Sequence, residues 1–104
     1  MSFMQKLLAL VSGVGDPRDR VRIMSTVKMV ADAYHSGAID DETLRAELRD
    51  ICATTIALSR PELTEEEVYA RADAVVGELF HSIKVDAMLR RTLSRFVGAL
   101  RSRA

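Results

Sequence analysis

Helix-breaking residues are scarce in this chain of 104 amino acids, which contains two prolines and five glycines. Because proline removes a backbone donor and glycine costs backbone entropy, long stretches without them favour long helices. Apolar residues recur at steps of three and four, the spacing of one helix face, and no segment alternates as a half-buried strand does. The sequence predicts an all-α fold, a small bundle of four or five helices in which residues 1–104 form one domain.

Residues typical of helix starts and helix ends set the limits of the first two predicted helices. The first runs from about Ser2 to Val11, and the Ser-Gly-Val-Gly sequence that follows is expected to be a flexible joint. Asp16 is a favourable N-cap for the second helix, and Pro17 occupies its first position, where a missing N–H costs nothing. Gly37 is expected to end this helix in the left-handed conformation.

The third and fourth predicted helices also carry end signals. The third begins at Asp40 or the next residue, where carboxylates favour the positive end of the helix dipole. It stops near Ser59, because Pro61 cannot continue a helix. The fourth opens at Thr64, with a glutamate three residues later that completes a capping box.

The fourth predicted helix carries two apolar stripes in different registers. The first comprises Val68, Ala72, Val75, Val76, Leu79 and Ile83, and the second comprises Val85, Leu89, Leu93, Phe96, Val97 and Leu100. Continuing the first stripe would place Asp86 or Arg90 in the core. We therefore expect the helix to break or kink near residues 84–86, with Asp86 as a new cap, so that both stripes reach the core.

Small residues line another side of the fourth predicted helix. They are Ala70, Ala74 and Gly77, followed by His81 at the same spacing. Such a face is either a solvated surface of good helix formers or a second contact face that lets another helix approach closely. Gly77 favours the contact face, because a glycine inside a helix costs ~1 kcal/mol relative to alanine. These four residues are the predicted interface of a homodimer.

The formal net charge of zero conceals an uneven distribution. Residues 1–39 carry +2, residues 40–78 carry −7 and residues 79–104 carry +5. Exposed arginines are expected in two clusters: Arg90, Arg91, Arg95, Arg101 and Arg103 near the C-terminal end, and Arg18, Arg20 and Arg22 at the start of the second helix. The C-terminal arginines either pair with the acidic middle of the chain or bind an anionic partner.

Among anionic partners, a nucleic acid is the one for which the sequence makes the most specific predictions about binding. A helix-turn-helix use of the second and third helices is disfavoured, because the third helix would lead with Asp40 and further carboxylates toward phosphates. The C-terminal segment offers only Phe96 for base stacking. Binding would therefore rest on phosphate contacts and be weakly sequence-specific.

Residue types that carry chemistry do not form a recognisable catalytic motif. Glu78 and His81 have the Glu-x-x-His spacing of di-iron carboxylate bundles, but the chain contains one copy where two are needed. Cys52 falls on the apolar stripe of the third helix, where a cysteine is usually a small buried hydrophobe. The Gly-Val-Gly sequence lacks the remaining residues of a phosphate-binding loop. We expect no enzyme activity, no metal and no cofactor.

The expected compartment and role follow from what remains. Cys52 is the only cysteine, and no apolar run approaches the ~20 residues of a membrane span, so the sequence favours the cytoplasm. The fourth helix carries more apolar surface than a chain of this length easily buries. We expect a non-enzymatic helical interaction module that self-associates as a homodimer. The alternative is a nucleic-acid-associated protein that binds phosphates through its basic C-terminal helix.

Overall fold

Four α-helices account for most of residues 3–102, the part of the chain that the computed structural model describes. They are α1 (Phe3–Val11), α2 (Pro17–His35), α3 (Asp41–Ser59) and α4 (Glu65–Ser102). No strand occurs within these residues. The predicted all-α bundle is confirmed, with four helices.

The predicted end signals lie where the helices begin and end. The Asp16 side chain accepts a hydrogen bond from the Arg18 backbone N–H at 2.9 Å, and Pro17 opens α2. Asp40 caps α3 by accepting from the Thr43 N–H at 2.8 Å. Gly37 follows α2 with a φ of 82°, the left-handed conformation that a residue without Cβ adopts at little cost.

The capping box of α4 forms in both directions. The Glu67 N–H donates to the Thr64 hydroxyl at 3.2 Å, and the Thr64 N–H donates to the Glu67 carboxylate at 3.2 Å. These bonds satisfy two backbone donors that the first turn would leave unpaired.

The core lies mainly between α3 and α4. Leu44 and Leu48 of α3 and Leu79 of α4 are fully buried there, with the rest of the first α4 stripe around them. A smaller cluster joins α1 to α2. Val14, from the predicted flexible joint, is buried in that cluster and donates its N–H to the Val11 carbonyl at 3.0 Å.

The fourth helix is unbroken from Glu65 to Ser102, so the expected break near residues 84–86 is wrong, while a kink there stays a prediction. The reason is a difference in length. The α2 and α3 helices have 19 residues each and α4 has 38, which at 1.5 Å per residue is about 57 Å. Shorter neighbours cannot cover so long a helix. The structure is accordingly elongated, with extents of 60 × 27 × 23 Å.

Candidate interaction surface

The C-terminal part of α4 projects from the rest of the structure. Ala87 is the last buried residue of the helix, and every residue from 88 to 102 is exposed. We call residues 88–102 the arm and residues 3–87 the body. The arm is about 22 Å long at 1.5 Å per residue. It therefore forms no core with the other three helices.

One side of the arm is apolar. The second apolar stripe of α4 is exposed to solvent on that side. Leu89 is 57% exposed, and Leu93 and Phe96 are each 61% exposed. With Val85, Val97 and Leu100 these residues form what we call the apolar strip, and they span an arc of roughly 120° at 3.6 residues per turn. A contiguous apolar patch of this kind on a protein surface marks an interaction site.

The other side of the arm is basic. Arg90, Arg91, Arg95 and Arg101 are all exposed on it, while Arg103 lies outside the described residues. No acidic residue follows Asp86 in the sequence. Residues 1–86 contain fifteen acidic and ten basic residues, a net −5, and the five arginines after them carry +5. The charge changes sign where the arm begins.

The arm arginines do not pair with the acidic middle of the chain. Arg90 Nε lies 3.1 Å from the carboxylate of Asp86, one turn earlier on the same helix. Arg91 donates to the Ala87 carbonyl at 3.4 Å. Among residues 3–102, neither Arg95 nor Arg101 forms an ion pair. Internal pairing with residues 40–78 is therefore not how their charge is balanced.

Polar contacts fasten α4 to the α2–α3 connection just before the arm begins. Asp41, at the start of α3, accepts from the Tyr34 hydroxyl at 2.7 Å and from Lys84 Nζ at 3.0 Å. The Tyr34 bond, followed by the Lys84 contact, lowers the pKa of the Asp41 carboxyl. His35 Nε2 lies 3.2 Å from the Asp86 carboxylate. The base of the arm is thus held in a defined orientation.

A groove of about 540 Å³ runs between α1 and α4 at the base of the arm. Its apolar wall contains Met4, which is 54% exposed, together with Val85 and Leu89 of the strip. Leu8, one turn after Met4 on α1, is also exposed. The apolar strip is therefore continuous with apolar surface on the body. The sequence indicated α1 as apolar but not which of its residues stay uncovered.

The second arginine cluster lies away from the arm. Arg18 and Arg22 are exposed and Arg20 is half-buried, all in the first two turns of α2. The arm meets the opposite end of α2, where His35 contacts Asp86. About 15 residues of helix, or roughly 22 Å, separate the two ends. The structure does not join the two clusters into one basic surface.

The predicted small-residue interface lies on the side of α4 opposite the buried stripe. Ala70, Ala74, Gly77 and His81 are all exposed. A Cβ added at Gly77 would meet no atom within 4 Å, so nothing in the chain itself requires glycine there. This face carries much less apolar area than the arm, and its role as an interface stays a prediction.

The other candidate chemical groups lie apart from one another. Glu78 and His81 are exposed, and no group of three or more potential metal ligands occurs within residues 3–102. Cys52 is fully buried in α3, and burial raises the pKa of its thiol to about 11. A thiol with that pKa is almost entirely protonated at neutral pH and is a poor nucleophile.

No protein-family model, curated protein or solved structure matches this chain. Within residues 3–102, none of the helices combines the length and apolar character needed to cross a membrane. The arm, the apolar strip and the adjoining groove are the surface features from which a function can be argued.

Proposed function

We propose that this protein is a non-enzymatic interaction module that self-associates through the apolar strip of its arm. The observation that carries the proposal is a 15-residue helical segment whose large apolar side chains Leu89, Leu93, Phe96 and Leu100 are each more than half exposed. Isolated helices of this length are marginal in water, and most helical stability in proteins comes from packing an apolar face. Packing against another molecule would bury the apolar face of the arm, which stays exposed among residues 3–102.

The energetic gain available from covering the strip is large enough for association. Complete burial of one Leu, Val or Phe side chain contributes about 1.5–3 kcal/mol. Leu89, Leu93 and Phe96 each expose more than half of their surface, and three further strip residues are exposed beside them. The loss of translational and rotational freedom on association offsets part of this gain.

A second copy of the chain is the occupant that the charges favour. Residues 87–104 of the sequence carry +5, and residues 1–86 carry −5. An arm placed against the body of another copy brings opposite charges together, which steers association and disfavours wrong partners. Two-fold dimers are also the commonest closed assembly, because each copy then offers the same surface.

The arm arginines favour a second candidate function, binding to the phosphates of a nucleic acid. Arg95 and Arg101 are exposed and form no ion pair with a described carboxylate. Fluorescence anisotropy with a short DNA duplex would test this: binding should weaken with salt with a log–log slope of about −0.9 per phosphate contact. No binding at 50 mM salt would exclude it. The distance of Arg18 and Arg22 from the arm makes this candidate the weaker one.

The proposal also covers the cellular compartment and the face of α4 that small residues form. A single buried thiol suits a reducing compartment such as the cytoplasm. Ala70, Ala74 and Gly77 form an additional contact face only if larger assemblies occur, because they lie on the far side of α4 from its buried stripe.

Light scattering over a concentration series tests self-association. The wild-type protein should approach twice the chain mass of 11.5 kDa at high micromolar concentration. Leu93→Gln should shift the equilibrium toward monomer by a factor of roughly ten or more, since one apolar side chain near the centre of the strip is lost. The matched control is Met29→Gln on α2, where the methionine is 70% exposed and outside the strip. Equal effects of the two variants would contradict the proposal.

A further inference from the structure

The groove between α1 and α4 opens at the base of the arm, beside the apolar strip. We infer that two α4 helices pair antiparallel, with Leu93 near the two-fold axis. The end of each arm around Leu100 and Arg101, which we call the tip, then lies in the partner's groove. This inference rests on the proposed self-association and specifies its geometry. The groove is apolar along Met4, Val85 and Leu89, and polar along Lys6, His81, Ser82 and Asp86.

The spacing of the strip suits pairing between two helices, and an antiparallel register can be written for it. Leu89, Leu93, Phe96 and Leu100 follow at steps of four, three and four, the spacing of a helix seam. With Leu93 on the axis, Leu89 faces the partner's Val97, and the partner's Leu100 lies beside Val85 in the groove. Phe96 comes level with the partner's Arg90, one residue from its Leu89, so apolar contacts continue along the strip.

Charge disfavours the parallel alternative. In a parallel pair, the arginines that flank the strip, Arg90 and Arg101, would come level with the same residues of the other arm, while Arg91 and Arg95 point away from it. Like charges so placed repel. In the antiparallel pair, the partner's Arg101 comes to the level of Val85 and Asp86, where the carboxylate of Asp86 is still 46% exposed. Each basic tip also approaches the acidic body of the other copy.

The position of α1 at the base of the arm suits the antiparallel arrangement. α1 stands beside the strip at the base of the arm, where Phe3 and Met4 line the groove with Val85 and Leu89. Antiparallel alignment brings α1 beside the partner's tip, which has no neighbour within its own chain.

Spin-label distances separate the two orientations. Single cysteines replace Ser94 or Ser102 in a Cys52→Ser background. In the antiparallel dimer, labels at position 94 should be close together, and labels at position 102 should be about 27 Å apart along the helix axis, 18 residues of rise. In a parallel dimer both pairs would be close, and that result overturns the inference while leaving self-association intact.

Substitution in the groove tests its role as the receptor for the tip. Met4→Gln, on α1 and outside the arm, should raise the dimer dissociation constant roughly tenfold. Met29→Gln, an equally polar change at an exposed methionine of α2, should leave it unchanged. A dimer that responds equally to both variants overturns the groove assignment. A monomeric wild-type protein at high micromolar concentration instead refutes the proposed function itself.

Discussion

His35 Nε2 lies 3.2 Å from Oδ2 of Asp86, and this contact joins the end of α2 to α4 one residue before the last buried position of that helix. The same carboxylate lies 3.1 Å from Arg90 Nε, in the first turn of the arm. Asp86 therefore links the body to the base of the arm. The imidazole is largely buried, with 14% of its side chain exposed, while the carboxylate is half exposed.

A double-mutant cycle should detect the His35–Asp86 contact as a small coupling. We expect His35→Gln and Asp86→Asn to couple by about 0.2–1 kcal/mol in urea unfolding, the range of partly exposed ion pairs. The double variant should lose less stability than the sum of the two single variants. Strict additivity would show that the contact contributes nothing in solution.

Acid should weaken the attachment of α3 to its neighbours. A hydrogen bond from the Tyr34 hydroxyl, and then the contact with Lys84, holds the pKa of the Asp41 carboxyl below its ordinary value. The unfolded chain therefore takes up this proton first as pH falls. The stabilisation is complete above the ordinary carboxyl pKa of about 3.9 and is lost as pH falls below it through the folded-state value.

Asp41→Asn should accordingly flatten the acid branch of the stability profile. Because the amide does not titrate, the variant should lose less unfolding free energy than wild type between pH 6 and pH 3. Urea unfolding at the two pH values measures the difference. If wild type and variant lose the same amount, the Asp41 contacts do not contribute to acid sensitivity.

Two leucines of α4 should differ strongly in how much stability their truncation costs. Leu79 is fully buried, and Leu79→Ala should cost about 2–5 kcal/mol of unfolding free energy. Leu93 is 61% exposed, and Leu93→Ala should change the stability of the dilute monomer by less than about 0.5 kcal/mol. Urea unfolding at low protein concentration gives both values. A large loss from Leu93→Ala under those conditions would place the arm in contact with its own body.

Gly77 should tolerate a larger side chain. Because a Cβ there would meet nothing, Gly77→Ala should raise the stability by about 1 kcal/mol through helix propensity alone. Gly77→Leu should leave the dimer mass unchanged, since the apolar strip lies elsewhere. If Gly77→Leu instead yields monomer in light scattering, the small-residue face is the interface and the arm is not.

Local signals in the sequence were sufficient to predict the four helices. The capping hydrogen bonds of Asp16, Asp40 and Thr64 involve residues two or three positions away. They can therefore be predicted from the sequence without knowledge of the fold. The first stripe of α4 was equally predictable, since its 3.6-residue period continues through Leu79 and Ile83, which are buried.

Whether the second stripe of α4 is buried or exposed depends on the relative lengths of the helices and not on the periodicity of the stripe. Expecting every stripe to reach one core required a break near Asp86, but α4 simply continues beyond the ends of its 19-residue neighbours. The predicted end signals already implied that mismatch. The groove was not predictable, because it needs the three-dimensional placement of Met4 beside Val85.

Amide hydrogen exchange at two protein concentrations tests the central claim that the arm is an intermolecular element. At high micromolar concentration, amides of residues 88–102 should exchange slowly, because the paired helices protect them. On dilution below the dissociation constant, the arm should lose protection while the α3–α4 core around Leu48 and Leu79 keeps it. Protection of the arm that does not change with concentration, or an arm that exchanges freely at every concentration, would contradict the claim.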